Sequence, residues 1–391
     1  MAKLKGKVLG GFEVVEDLQD SGSQGQVCRA VCVEDVHGLA PVGTVVALKV
    51  MVVQDAAGSQ WRQLTKRTAK LAEVNSPNIV KYLGCFEESG LYDLHVVVQE
   101  FLEGETLKQR IARSPRGLDM DEALRIVLGA VDGLCSAAHV GIVHRDIKPG
   151  NIFLCRNGAV KLIDFELAKQ LKGTVTASTA AGNLRGTLDY MAPEFTDPNF
   201  RGDELSDVFS MGVVLHEALT GRKPYRGVTR TEGELADLAA FFTRWSDGEA
   251  NLHISSRVRR ILENADAVIR QALSPNREKR YQNFEAFRKA LKTIRPYRLA
   301  SASSGKVYEL VQLVGKGGFG EVYKARIAGA GTLVAIKRLL NDAYRPRFEM
   351  EARVMQKIRS PHFVKFVDYF ETDIGCHLVM NFLPGMPGSS L

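Results

Sequence analysis

The run His144-Arg145-Asp146-Ile147-Lys148-Pro149-Gly150-Asn151 gathers an acid, an amine and an amide within two turns' worth of chain. An aspartate placed as Asp146 can orient a hydroxyl and accept its proton. Lys148 can neutralise a moving phosphoryl group, and Asn151 can turn back toward a metal ion. Asp164-Phe165-Glu166 follows downstream, and Asp164 offers the oxygen ligand that Mg²⁺ (or Mn²⁺) takes. Together these residues suit phosphoryl transfer, which asks for positioning and charge stabilisation more than for covalent chemistry.

Upstream, Asp20-Ser21-Gly22-Ser23-Gln24-Gly25-Gln26-Val27 is a glycine-rich strand–turn–strand pattern. Gly22 and Gly25 lack a Cβ, so backbone N–H groups there can approach phosphates closely. Lys49 lies inside the apolar run Val45-Val46-Ala47-Leu48-Lys49-Val50-Met51. A buried ammonium needs an anion, and a bound phosphate would supply one. Taken alone, the glycines fit a plain hairpin and Lys49 an edge-strand residue facing water. The 144–151 run tips both toward a nucleotide.

The elements that must position these residues are legible in the patterning. Val45–Val53 and Leu94–Phe101 are β-branched runs expected as strands. Asp119–His139 carries Ala123, Ile126, Val127, Ala130, Val131 and Leu134 on one helical stripe. Asp207–Leu219 is apolar almost all round, as a core helix is. Val258–Leu273 and Phe284–Ile294 are further helix candidates. A β-rich front and a helical back predict two lobes.

The chain also repeats itself. Gly25-Gln26-Val27 recurs as Gly320-Glu321-Val322, Val46-Ala47-Leu48-Lys49 as Val334-Ala335-Ile336-Lys337, and Pro77-Asn78-Ile79-Val80-Lys81-Tyr82 as Pro361-His362-Phe363-Val364-Lys365-Phe366. The offset drifts by a few residues, as differing loop lengths produce. The period is far too long for a solenoid and implies a duplicated domain whose second copy is short. Ser301-Ala302-Ser303-Ser304-Gly305 between the copies reads as a polar linker.

These motifs resemble the eukaryotic-type (Hanks-type) Ser/Thr protein kinase family. The resemblance extends to Gly186-Thr187-Leu188-Asp189-Tyr190-Met191-Ala192-Pro193-Glu194, similar to the end of an activation segment, and to Asp207-Val208-Phe209-Ser210-Met211-Gly212. Arg280 is placed like the late arginine that pairs with Glu194. It implies an α+β, bilobal protein kinase fold over residues 10–295, a linker at 296–305, and a second kinase-like N-lobe at 306–391. It further implies ATP as phosphoryl donor and a protein Ser/Thr hydroxyl as acceptor. Gly22, Gly25, Val27, Ala47, Lys49, Asn151 and Asp164 would face the nucleotide, with Glu100 and Leu102 in the hinge and Gln99 at the gatekeeper place. Catalysis would fall to Asp146, Lys148 and Lys49, and metal binding to Asn151 and Asp164. Lys148 and Thr187 resemble the Ser/Thr branch. Thr174, Thr176, Ser178 and Thr179 are candidate phosphosites, while Asn183 holds the place most often phosphorylated in relatives.

The first copy departs from the family pattern in three places. Asp20 replaces a cradle glycine, and Glu166 replaces the glycine after Asp164-Phe165. Arg67 stands where the family has a helix glutamate that pairs with the strand lysine. An arginine facing Lys49 would repel it, and Glu73 lies round the helix from Arg67. These departures keep open a nucleotide-binding pseudokinase scaffold; a small-molecule phosphotransferase is a third reading. The second copy has the full cradle, with Gly315, Gly317, Gly320 and Val322, and Lys337 with Glu351 for the ion pair. Glu371–Phe382 reads as two strands reaching a hinge, with Met380 at the gatekeeper place. No catalytic aspartate or metal-binding asparagine follows, so this lobe cannot transfer phosphate by the family mechanism. It would be a fragment of a longer tandem kinase, a lobe that docks on the first domain and regulates it, or a piece completed by a partner chain.

Composition sets the remaining bounds. With 391 residues, 45% hydrophobic and 25% charged, the chain has a core-forming make-up. A net charge of +7 is spread thinly along the chain, so a nucleic-acid partner is not expected. Six cysteines without zinc spacing suggest free thiols in a reducing compartment. No signal peptide or membrane-spanning run is visible, and a cytoplasmic location is expected.

Overall fold

A computed structural model of the chain describes residues 3–22, 25–52, 59–88, 94–165, 189–197, 199–224 and 262–383. The first sheet begins with β1 (Val8–Leu9), β2 (Phe12–Gly22), β3 (Gly25–Cys32) and β4 (Val45–Val52). Along β3, Gln26, Cys28, Ala30 and Cys32 point inward at alternate positions, the two-residue period that fixes a strand's buried face. Helix α1 (Ser59–Glu73) follows, burying Leu64, Thr68 and Leu71, and then β5 (Tyr82–Glu88) and β6 (Leu94–Glu100) complete the sheet. Its order is β1-β2-β3-β4-β6-β5, antiparallel throughout.

The helical half opens with β7 (Gly104–Thr106), α2 (Leu107–Ala112) and α3 (Met120–His139). Asp119 caps α3, its carboxylate accepting the Glu122 N–H at 2.9 Å. Every residue of the apolar stripe on α3 is buried. Strands β8 (Ile152–Cys155) and β9 (Val160–Leu162) form a small sheet with β7 and carry the chain past the catalytic run. Helix α4 (Glu204–Thr220) is buried nearly all round and stops at Gly221, whose φ of 69° a side chain would resist. Then come β10 (Leu262–Glu263), α5 (Ala265–Ala272) and α6 (Phe284–Leu291). The helix expected over Val258–Leu273 is therefore only its second half. Asn264, at φ 63°, turns the chain from β10 into α5, and residues 258–261 lie outside the described residues.

The stretch read as a linker carries structure of its own. Strand β11 (Arg295–Pro296) pairs with β10, and β12 (Arg298–Ala300) pairs with β13 (Val307–Lys316). Leu299 and Tyr308 lie in one hydrophobic core with Phe287 and Ile294. The second sheet continues with β14 (Gly320–Ile327), β15 (Leu333–Leu339), helix α7 (Arg345–Lys357), β16 (Phe366–Thr372) and β17 (Gly375–Asn381). Its order, β12-β13-β14-β15-β17-β16, repeats that of the first sheet strand for strand. The strand expected to open at Glu371 starts at Phe366, because Tyr369 and Phe370 pair across to Leu378 and His377. The result is α+β, with curled β-sheets set beside a helical lobe.

Candidate active site

The site lies between the first sheet and the helical lobe. Val27 faces Lys49 in register, and Ala47 faces Gln99, so Val27, Ala47 and Lys49 share one face of the sheet. Gly25 has φ 102°, and a Cβ there would sit 2.5 Å from the Val50 carbonyl oxygen, so only glycine fits the crossing. Gly22 pairs with Gly25 at the tip. The side chain of Asp20 and all of residues 23–24 lie outside the described residues.

Lys49 is buried, 4% exposed, and its Nζ meets Asp164 Oδ1 at 2.7 Å. This pair joins sheet to helical lobe directly. Asp164 holds φ 58°, and Arg145 holds φ 67°; both are left-handed conformations that cost a non-glycine residue free energy. Arg145 is held by the carboxylate of Asp207, near the start of α4. Its Oδ2 accepts the His144 N–H at 2.8 Å and its Oδ1 the Arg145 N–H at 2.9 Å. Asp207 is 1% exposed, so the two amides give a buried carboxylate its partners. Sequence reading saw Asp207 as the head of a core helix and missed this role. An acid at the start of an otherwise apolar helix was the available signal.

His144 is fully buried beside Phe165, and burial pushes its imidazole pKa down to about 4, against the pull of Asp146. A short turn at Pro149–Asn151 folds the chain back, so Asn151 Nδ2 donates to the Asp146 carbonyl at 2.7 Å and to Asp146 Oδ2 at 3.0 Å. Lys148 Nζ reaches the same Oδ2 at 2.8 Å. Asp146, Lys148 and Asn151 thus form one group and Lys49 and Asp164 another, set side by side by the Ile163 N–H, next to Asp164, donating to the Asn151 carbonyl at 3.0 Å. The Glu100 side chain is turned away, accepting the Lys81 N–H at 2.7 Å and pairing with Lys161 Nζ at 2.6 Å. Leu102 packs half-buried against the core, and the Arg29 guanidinium lies over the Phe101 ring.

Arg67 is bonded to the helical lobe. Its Nη2 donates to the Val143 carbonyl at 2.6 Å, tying α1 to the chain just before His144. The long side chain therefore has a partner in the helical lobe. Further down, Arg280, with its side chain wholly buried, meets Glu194 through Nη1 at 2.7 Å and Nη2 at 2.8 Å. Glu166, the four candidate phosphosites, Asn183 and Thr187 lie outside the described residues.

In the second copy Val322 faces Lys337, and Ala335 faces Met380. Lys337 Nζ bonds both carboxylate oxygens of Glu351 at 2.7 and 2.8 Å. A Cβ on Gly320 would sit 2.4 Å from the Arg338 carbonyl oxygen. Gly317 has open space around it.

The protein kinase domain family profile matches residues 21–292 and again 308–388. The chain belongs to the protein kinase family. Its curated kinase relatives include the probable serine/threonine-protein kinase PknB of Bifidobacterium longum, 31% identical over 63% of this chain and 35% of that protein. The serine/threonine-protein kinase PrkC of Bacillus subtilis is 31% identical over 68% of the chain and 43% of its own length. PknB of Mycobacterium leprae is 32% identical over 61% and 36%. The chain therefore spans less than half the length of each of these kinases. Protein kinases generally use ATP, a divalent metal and a protein substrate. Among the described residues no helix is long and apolar enough to cross a membrane.

Proposed function

We propose that residues 10–295 transfer the γ-phosphoryl of ATP to Ser or Thr hydroxyls of a protein. The observation that supports this reading is that the Lys49–Asp164 pair and the Asp146–Lys148–Asn151 group lie on adjoining stretches of backbone beside a glycine-tipped sheet. Val27 and Ala47 offer an apolar roof beside Lys49, and Gly22 and Gly25 leave the hairpin backbone open to phosphates. Glu100 and Leu102 would present backbone groups to the adenine, since the Glu100 carboxylate is engaged elsewhere. Asp146 orients the acceptor hydroxyl and takes its proton as the new P–O bond forms and the bond from the γ-phosphorus to the bridging oxygen breaks, releasing ADP. Lys148, already against Asp146, balances the charge on the phosphoryl oxygens.

Asn151 and Asp164 are the residues that would hold Mg²⁺ or Mn²⁺. A carboxylate and an amide oxygen are the hard donors such ions prefer, and two protein ligands plus phosphate oxygens suit Mg²⁺. The bound ion would neutralise charge on the phosphates. Residues 306–391 form a second N-lobe joined through 296–305, with Gly317, Gly320, Val322, Lys337 and Glu351 on its nucleotide side. We place this activity in the cytoplasm. All six cysteines are free, as suits a reducing compartment.

The test is transfer from radiolabelled ATP with Mg²⁺ to the chain itself and to a basic protein, beside an Asp146→Asn control. Incorporation that disappears in the control supports the kinase reading. No incorporation, with ATP still raising the melting temperature, replaces it with a nucleotide-binding scaffold. The specific observation behind that second reading is that, among the described residues, Lys49 pairs with Asp164 and not with a glutamate of α1.

A further inference from the structure

In the first copy, the sheet face that carries Val27, Ala47 and Lys49 is turned toward the helical lobe, as the Lys49–Asp164 contact records. The matching face of the second copy is defined by register. Val322 lies opposite Lys337, Lys324 opposite Ala335, Gln312 opposite Lys324, and Arg326 opposite Glu309. Residues directly opposite share a face, and so do residues two apart on a strand. Gln312, Val322, Lys324, Arg326, Ala335 and Lys337 therefore look the same way.

That face is turned toward residues Arg116–Asp121 of the first copy, at the start of α3. Gln312 Nε2 donates to the Gly117 carbonyl at 3.2 Å, and Lys324 Nζ lies 3.9 Å from Asp119 Oδ2. Arg116 donates to the Val314 carbonyl, on the strand leading into the glycine hairpin, and Arg326 pairs with Asp121. Arg326 also bonds Glu309 at 2.7 Å, and Glu309 bonds Arg298 at 2.7 Å. These two guanidiniums hold the Glu309 carboxyl below its usual range, Arg326 above all. The row Arg298–Glu309–Arg326–Asp121 thus runs from the connecting strand β12 across β13 and β14 onto α3.

We propose that the nucleotide-facing surface of the second copy is an intramolecular docking surface whose partner is the Arg116–Asp121 segment of the first domain, and that nucleotide and docking compete for it. The charges are complementary, with Lys324 and Arg326 on one side and Asp119 and Asp121 on the other. The contacts fall on the cradle strands β13 and β14. An adenine brought under Val322 and Ala335 must share that face with the Arg116 and Lys324 contacts. The glutamate pair of Lys337 lies at the other end of the face. The second lobe is then an arm seated on the first domain, released when its own cradle fills.

A water-soluble carbodiimide, which joins a lysine amine to a touching carboxylate with loss of water, tests this on the full chain without relying on phosphoryl transfer. The expected product, mapped by peptide mass spectrometry, is a Lys324–Asp119 or Lys324–Asp121 bond within one molecule. Lys324→Arg should abolish it. Asp121→Arg, or raising salt from 0.1 to 1 M, should lower the Lys324–Asp119 yield several-fold, because these pairs are partly exposed and screened. Mg-ATP should lower the yield several-fold in the native chain but not in Lys337→Met. Absence of the native cross-link, or its appearance only between isotopically distinct copies, overturns the docking. A yield indifferent to ATP overturns the competition. Either failure leaves the transfer assay of the first domain to stand or fall by itself.

Discussion

Replacing Arg67 by alanine removes a charged donor from the Val143 carbonyl, which it meets at 2.6 Å. Val143 leads into His144 and Arg145, whose amides are fixed from the other side by Asp207. Asp146 is thus the end of a short rigid path, with α1 on one flank and α4 on the other. A hydrogen bond with a charged partner contributes about 1.5–3 kcal/mol. If that tie is needed to seat Asp146 in the transition state, its loss lowers kcat roughly 10- to 150-fold. The KM for ATP should move little, because Lys49 keeps its own partner in Asp164. Arg67→Lys, which retains a donor, should recover part of the rate. Arg67→Glu supplies the acid that the family resemblance implies there but withdraws the donor, and should be at least as slow as the alanine variant. Steady-state kinetics on the three variants decide the matter, with hydrogen exchange in peptides covering 59–73 and 142–148 as the structural readout. Unchanged kcat in Arg67→Ala, or a faster Arg67→Glu enzyme, refutes the positioning role.

Other outcomes follow from the same geometry. Arg280→Ala removes both close bonds from the Glu194 carboxylate, leaving it Arg277 at 3.7 Å, at a site where the arginine side chain is wholly buried, and should cost about 3–5 kcal/mol in urea unfolding. The double variant Arg280→Met/Glu194→Leu should cost clearly less, since no charge is left unpaired. Lys49→Met should remove most of the melting-temperature rise produced by Mg-ATP; an undiminished rise would place the nucleotide elsewhere. Gly25→Ala should weaken ATP binding or stability, because its Cβ would collide with the Val50 carbonyl 2.5 Å away at φ 102°. Burial lowers His144 and His377 to about 4 in the folded chain, so the unfolded chain binds more protons between pH 6.5 and 4. Stability should therefore fall as pH drops through that window, and His377→Asn should flatten the slope in urea midpoints measured across it.

Much of this architecture was legible because periodicity and short motifs act locally. The α3 stripe from Ala123 to Leu134 is buried as its spacing requires, and Asp119 caps the helix from the position where the pattern starts. What was not legible depends on reach. Arg67 could be counted against the family glutamate, but the length of its side chain lets it bond a carbonyl far along the chain. Asp207 catches two amides across the lobe, which no local pattern encodes. The serines of the 296–305 stretch point to a linker, while Leu299, beside Arg298, sits in the strand paired with β13 and lies in one hydrophobic core with Phe287 of α6.

The two copies solve one problem in opposite ways. Each has a helix that must be fixed beside its strand lysine. In the second copy α7 is fixed to its own sheet, with Glu351 holding Lys337 by both oxygens. That solution needs nothing beyond the lobe itself, and residues 306–391 include no catalytic run. In the first copy α1 is tied instead to the chain before His144, and Lys49 is released to Asp164 in the helical lobe. That solution works only where a helical lobe is present, and it couples the helix to the residues of the proposed chemistry. A pair between a strand lysine and a helix glutamate of the same lobe can break without disturbing a catalytic run; an arginine anchored at Val143 cannot. On this reasoning a swing of the first copy's helix would disturb the chain before His144, and the face on which we propose that the second copy docks offers a separate route of control.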